Sequence, residues 1–170
     1  MRDKKYICLT VLIIFFILAI FTSHAMAQGL DGIGYKGWGV RGGLSSDPDQ
    51  AYAGIHFNLG EFAKDVRFRP SMELGYGNDQ MILQMMAEVH YVFSKVKTWK
   101  PYVGGGLGLT YIDYDDDFKP RRDDDTEMTL TPIGGVETNI NEKTKLFFEL
   151  KLGLTSDHPD MKIGVGISWK

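Results

Sequence analysis

From residue 38 to the end of the chain, apolar and polar residues alternate with period two in segment after segment, the mark of a β-strand with two unlike faces. In residues 38–45, Trp38, Val40 and Leu44 oppose Gly39, Arg41, Gly43 and Ser45. The pattern recurs over residues 51–60, 66–76, 81–93, 101–112, 128–140, 145–155 and 161–169. That makes eight segments, most of them near the roughly 9–11 residues with which a tilted strand crosses a bilayer. An even number of antiparallel strands can close on itself and leave no exposed edge. The expected fold is all-β, an eight-stranded antiparallel up-and-down transmembrane β-barrel.

Alternation does not say which face is inside. A soluble lipocalin-like barrel turns its apolar face inward around a ligand, whereas a membrane barrel turns it outward to lipid. Composition bears on the choice. The chain has 170 residues and 20 glycines, all of them after residue 27, and on the strands they crowd the polar face. Glycine suits the interior of a narrow barrel and would be wasted on a solvated surface. The same face carries charges of both signs: Arg41, Arg67, Arg69, Lys151 and Lys162 against Glu73, Glu88, Glu137 and Glu149, with His56 and His90 among them. Enclosed, these groups must neutralise one another. The membrane form is the expected one.

The 44% of hydrophobic residues is unevenly spread, because 19 fall in residues 1–27. There Arg2, Lys4 and Lys5 precede an apolar core from Ile7 to Phe21, and Ala25-Met26-Ala27 offers a small-x-small cleavage pattern. Residues 1–27 are read as a secretory signal peptide cleaved before Gln28, and residues 28–170 as the barrel domain. After residue 27 no apolar run exceeds three residues, which excludes a membrane-spanning helix there. The single cysteine, Cys8, lies in the signal, so the mature chain has no disulfide, thiolate metal site or cysteine nucleophile. Its 16 basic and 21 acidic residues form no basic stripe for nucleic acid.

With a periplasmic N-terminus, the odd connections face outward and the even ones the periplasm. The long connection, residues 113–127, then lies outside, where membrane barrels keep their longer loops. It carries Asp113, Asp115, Asp116, Asp117, Asp123, Asp124, Asp125 and Glu127. Carboxylates suit calcium, but the loop lacks the glycine turn and ligand spacing of an EF-hand, so it is read as a solvated acidic loop. Trp38, Tyr91, Phe93, Trp99, Tyr102 and Trp169 gather toward the periplasmic rim, and Tyr76 and Tyr111 toward the other, as two aromatic girdles.

Lys100-Pro101-Tyr102-Val103-Gly104-Gly105-Gly106-Leu107-Gly108 resembles a strand of the small outer-membrane β-barrel proteins of Gram-negative bacteria, the porin-family or OmpA/OmpX-like barrels. The terminal run with Lys162, Gly164, Val165, Ile167 and Trp169 resembles the C-terminal signal read by the barrel-assembly machinery, except that Lys170 follows the usually final aromatic residue. The resemblance covers about residues 36–170. It implies a location in the outer membrane, contact with outer-membrane lipid and lipopolysaccharide, the assembly machinery as a partner during insertion, and a monomer. It implies no cofactor.

Three functional readings follow. An eight-stranded barrel has an interior just wide enough for side chains to fill, so the interior charges are expected to plug it, leaving a structural or surface-interaction role. A narrow porin-like channel is the first alternative. A lipid A-modifying enzyme is the second: Ser156-Asp157-His158 supplies the residue types, but adjacent residues do not point one way, and the His-x-Ser-Asn pattern of the deacylases is absent.

Overall fold

The structure, a computed structural model, describes residues 32–46, 49–77, 80–114, 125–154 and 161–170. The signal peptide, its cleavage point, Asp115, Asp116, Asp117, Asp123, Asp124 and Ser156-Asp157-His158 lie outside the described residues, as does the side chain of Asp125. Eight strands run in chain order: β1 (Ile33–Ser46), β2 (Gln50–Ala63), β3 (Val66–Gly77), β4 (Gln80–Val92), β5 (Lys100–Tyr114), β6 (Asp125–Asn139), β7 (Thr144–Leu152) and β8 (Met161–Trp169). They form a closed barrel in sequential order, β1 meeting β8 antiparallel from Trp38↔Trp169 to Ser46↔Met161. The expected fold is the observed one: closed, antiparallel and up-and-down.

Strand bounds differ where alternation is weak. β1 starts at Ile33, over a glycine-broken stretch with no clean period. The β5–β6 ladder runs out to Ile112↔Asp125, shortening the long connection. Between β2 and β3 a two-residue turn places Asp65 at φ 65°, a left-handed conformation that Asp and Asn tolerate best after glycine. Gly60, at φ 88°, sits where the β2–β3 register slips between His56 and Glu61, a bulge that needs positive φ. In the β6–β7 turn the Lys143 amide donates to Asn141 Oδ1 at 2.9 Å, and the Lys170 amide donates to the Lys143 carbonyl at 2.9 Å, pinning the chain end to that turn.

The barrel is inside-out relative to a soluble one. Among the described residues, 17 buried side chains are polar or charged and eight are apolar, while 26 large hydrophobic residues are exposed. Leu44, Leu74, Leu107, Leu130 and Ile163 stand on the outer face. Soluble monomers rarely leave apolar patches beyond a few hundred Å² uncovered, so the lipocalin-like arrangement is overturned: the apolar face points out.

The interior glycines are seats for particular large side chains. A Cβ at Gly166 would overlap the Phe147 ring, one at Gly135 the Tyr102 ring, and one at Gly164 the Tyr52 hydroxyl. At Gly164 the hydroxyl is the sole severe obstacle, the next atoms lying 3.3 and 3.4 Å away, and among the described residues that hydroxyl is buried without a hydrogen-bond partner. Gly164→Ala is therefore expected to cost about 1–3 kcal/mol by overpacking. Tyr52→Phe alone should be neutral or stabilising, because an unpaired buried polar group is removed. In the double variant much of the alanine's cost should vanish. Urea titration of the four proteins checks this, and strict additivity would rule out the seat.

Candidate functional site

The strand pleat delivers alternate side chains to the interior, and the charged ones meet there in two clusters. At the centre of the larger is Arg41 on β1. Its Nε lies 2.8 Å from Glu73, Nη2 donates to Glu88 at 2.7 Å, and Nη1 donates to Glu149 at 2.8 Å. One guanidinium thus joins β1 to β3, β4 and β7. Arg69 on β3 pairs with Glu149 and donates from Nε to Glu88 at 3.1 Å. Lys151 reaches Glu73 and, at 2.9 Å, Glu88. Lys162 on β8 donates to Glu73 at 3.1 Å and to Gln84 Oε1 at 2.8 Å. The Ser71 hydroxyl donates to Glu88 at 2.7 Å and the Tyr102 hydroxyl to Glu149 at 3.0 Å. Such charge-assisted bonds are the strong class, and they tie opposite walls of the barrel together.

The second cluster lies nearer the end formed by the β2–β3, β4–β5 and β6–β7 turns. Arg67 grips Glu137 with two bonds of 2.7 and 3.0 Å, and Lys145 donates to the same carboxylate at 2.8 Å. The Arg67 and Lys145 side chains keep 11% and 20% of their surface, so this cluster is in reach of water, unlike the larger one. An apolar group of Met86, Val92, Tyr102, Ile133 and Phe147 packs inside the barrel toward the same end. Arg69 caps it from above, with Cζ 5.0 Å from the Phe147 ring centre.

Several expectations are corrected. The interior charges form two clusters, not one network. His56 joins neither: its Nε2 bonds Ser168 Oγ at 2.8 Å, and its ring meets Phe147 edge-on at 5.3 Å. His90, as expected, lies in the larger cluster, its Nε2 3.3 Å from Glu88, and it stacks on Tyr102 with ring centres 5.0 Å apart. Tyr102 is not a girdle residue. It shares the parity of Gly104 and Gly106, so the pleat turns it inward, where only 2% of its surface remains exposed. Lys145, Gln84 and Ser71 were missed as partners; the interior parity of each strand could have found them.

The outer-facing aromatic residues are placed on the barrel wall. Trp38 and Trp169 lie side by side on β1 and β8, ring centres 4.9 Å apart. Tyr91 and Phe93 meet at 5.0 Å, and Trp99 contacts Phe148 at 5.9 Å. Tyr76 is exposed near the other end, and Tyr111 is half-buried there. Of the terminal motif, Lys162 and Gly164 point inward and Val165 outward, while Ile167 and Trp169 are half-buried. In the acidic connection Asp113 and Glu127 are half-buried beside the strand ends.

Two arrangements invite a chemical reading. Glu88, His90 and Glu149 place ligand atoms within 4.8 Å of one another. Yet Arg41, Arg69 and Lys151 already occupy both carboxylates, and a cation would have to displace them. His56 and Ser168 have the spacing of a base and nucleophile, but among the described residues His56 Nδ1 is buried without a partner and none is an acid that orients the ring.

Among solved structures, the chain is similar to Neisserial surface protein A, at 16% identity and a TM-score of 0.60, over 79% of this chain and 94% of that one. It is similar to the N-terminal β-barrel domain of OprF from Pseudomonas aeruginosa, at 14% identity and a TM-score of 0.62, over 80% and 98%. It is also similar to the Yersinia pestis outer membrane protein Ail, at 11% identity and a TM-score of 0.51, over 78% and 97%. The expected likeness to small outer-membrane barrels is thus met in the fold. No protein-family model and no curated sequence matches the chain.

Proposed function

We propose that this protein is an outer-membrane β-barrel with a structural or surface-interaction role and an interior that carries no wide pore. The observation that carries the reading is the combination of an apolar outer wall with a lumen bridged by Arg41, Arg69 and Lys151 on Glu73, Glu88 and Glu149. Lipid covers the wall and the ion pairs fill the lumen. On this reading residues 1–27 direct export, the assembly machinery engages the terminal motif around Trp169, and the even turns face the periplasm. The odd connections, with the acidic residues 113–127, meet lipopolysaccharide and whatever lies beyond the cell.

Cell fractionation should recover the protein in the outer membrane, and unheated samples should migrate differently from boiled ones on a gel. In planar bilayers the purified protein should give no stable conductance steps. Reproducible unitary steps would instead favour the narrow channel. Unchanged lipid A acylation in cells with and without the protein is the outcome expected against an enzyme.

A further inference from the structure

We infer that the end of the barrel formed by the even turns binds the phosphate headgroups of anionic glycerophospholipids in the leaflet it faces. This rests on the membrane-barrel reading and deepens it. The charges divide by end. By sequence, the odd connections (residues 46–50, 77–80, 113–127 and 156–160) hold 13 carboxylates and three cations. The described residues of the opposite end hold nine cationic side chains, Lys36, Lys64, Arg67, Lys95, Lys97, Lys100, Lys143, Lys145 and Lys170, against four carboxylate side chains, Glu61, Asp65, Glu137 and Glu142, a side-chain balance of 9 − 4 = +5. Glu137 is already taken by Arg67 and Lys145. Lys36, Lys64, Lys95, Lys97, Lys143 and Lys170 are exposed.

Charge alone would suit any polyanion. The second observation selects a lipid: exposed apolar side chains are interleaved with these lysines. The β4–β5 connection reads Phe93-Ser94-Lys95-Val96-Lys97-Thr98-Trp99-Lys100, with Phe93, Val96 and Trp99 all exposed. Ile140 stands exposed three residues before Lys143, and Trp38 and Trp169 flank Lys36 and Lys170. A soluble polyanion offers nothing for Val96 or Ile140 to enter. A bilayer surface offers both layers at the right depth, acyl chains for the apolar groups and phosphates for lysines that snorkel toward them.

Nanodiscs with equal phosphatidylethanolamine and phosphatidylglycerol provide the test, by mass spectrometry of lipids that leave with the intact protein. Phosphatidylglycerol should be enriched over the input by at least about fivefold at low ionic strength, and less at high salt. The triple variant Lys95→Gln, Lys97→Gln, Lys143→Gln should fall toward the input ratio, and the matching arginine variant should restore the enrichment. Millimolar inorganic phosphate should leave the ratio unchanged; its collapse would mean a site for free phosphate and would overturn the inference. So would an input ratio in the unaltered protein, or enrichment that survives in the glutamine variant. Retention on purified cell-wall sacculi lost in that variant, with lipid ratios unmoved, would assign the rim to the wall instead. Failure to insert into nanodiscs at all would overturn the barrel reading together with this one, whereas insertion without selectivity overturns this one alone.

Discussion

Replacing Glu88 with alanine is expected to lower the stability of the folded barrel by about 3–5 kcal/mol. Glu88 is fully buried and receives Arg41 at 2.7 Å, Arg69 at 3.0 Å, Lys151 at 2.9 Å and the Ser71 hydroxyl at 2.7 Å. The larger cluster has four cations, Arg41, Arg69, Lys151 and Lys162, and three carboxylates, Glu73, Glu88 and Glu149, so it already carries 4 − 3 = +1. Alanine raises that to +2, leaves four cations to share Glu73 and Glu149, and removes the acceptor of four donors. Breaking one partner out of a buried ion set costs far more than the set is worth against an apolar replacement of the whole. The matched control is Glu142, exposed on the β6–β7 turn, where alanine should change stability by no more than about 0.5 kcal/mol. Urea unfolding in detergent, followed by tryptophan fluorescence and by the gel shift, reads both. Equal midpoints for the two variants would mean that the interior charges are hydrated rather than paired.

Phe147→Ala is expected to cost a similar about 3–5 kcal/mol, for the opposite chemical reason. Its ring keeps 1% of its surface exposed and lies over Gly166, with His56 at its edge and the Arg69 guanidinium 5.0 Å above its centre. Truncation leaves a hole beneath a buried cation, and neither Gly166 nor the strand backbone can move in to fill it. Leucine, closer in volume, should lose less, about 1.5 kcal/mol or below if the layer repacks. A midpoint unchanged by alanine would show that Met86, Val92, Tyr102 and Ile133 close the barrel without the ring.

Much of this architecture is legible in the sequence because a strand in a barrel obeys one local rule. The pleat has period two, so Arg41, Glu73, Glu88 and Glu149 could be assigned to one face without knowing their neighbours. Tyr102 shows what happens when a second criterion competes. Its place near a strand start suggested a girdle, but parity is a steric property of the backbone and prevails. Which cation meets which carboxylate was not legible. Arg41 touches Glu149 across 108 residues, and that contact depends on the stagger with which the sheet closes, a global quantity no segment encodes. The same holds for the division into two clusters and for His56, whose bond to Ser168 spans 112 residues. Glycine carried the opposite ambiguity: its excess marked a narrow interior, but only the structure matches Gly135 to Tyr102 and Gly164 to Tyr52.

The closing seam between β1 and β8 also constrains the order of events during folding. Seven of the eight strand pairings join neighbours in the chain, each closed by a hairpin, while Trp38 must find Trp169, 131 residues later. Hairpins can form early, but the seam waits for the last nine-residue strand. Until then Arg41 on the first strand lacks Glu149 on the seventh, one of its three carboxylate partners beside Glu73 on β3 and Glu88 on β4. On the membrane-barrel reading, a half-closed sheet would carry an incompletely paired interior and two open strand edges into hydrocarbon, which is costly. Sealing the seam completes both the backbone ladder and the Arg41–Glu149 pair, so the last strand finishes the ion pairing that the first strand began.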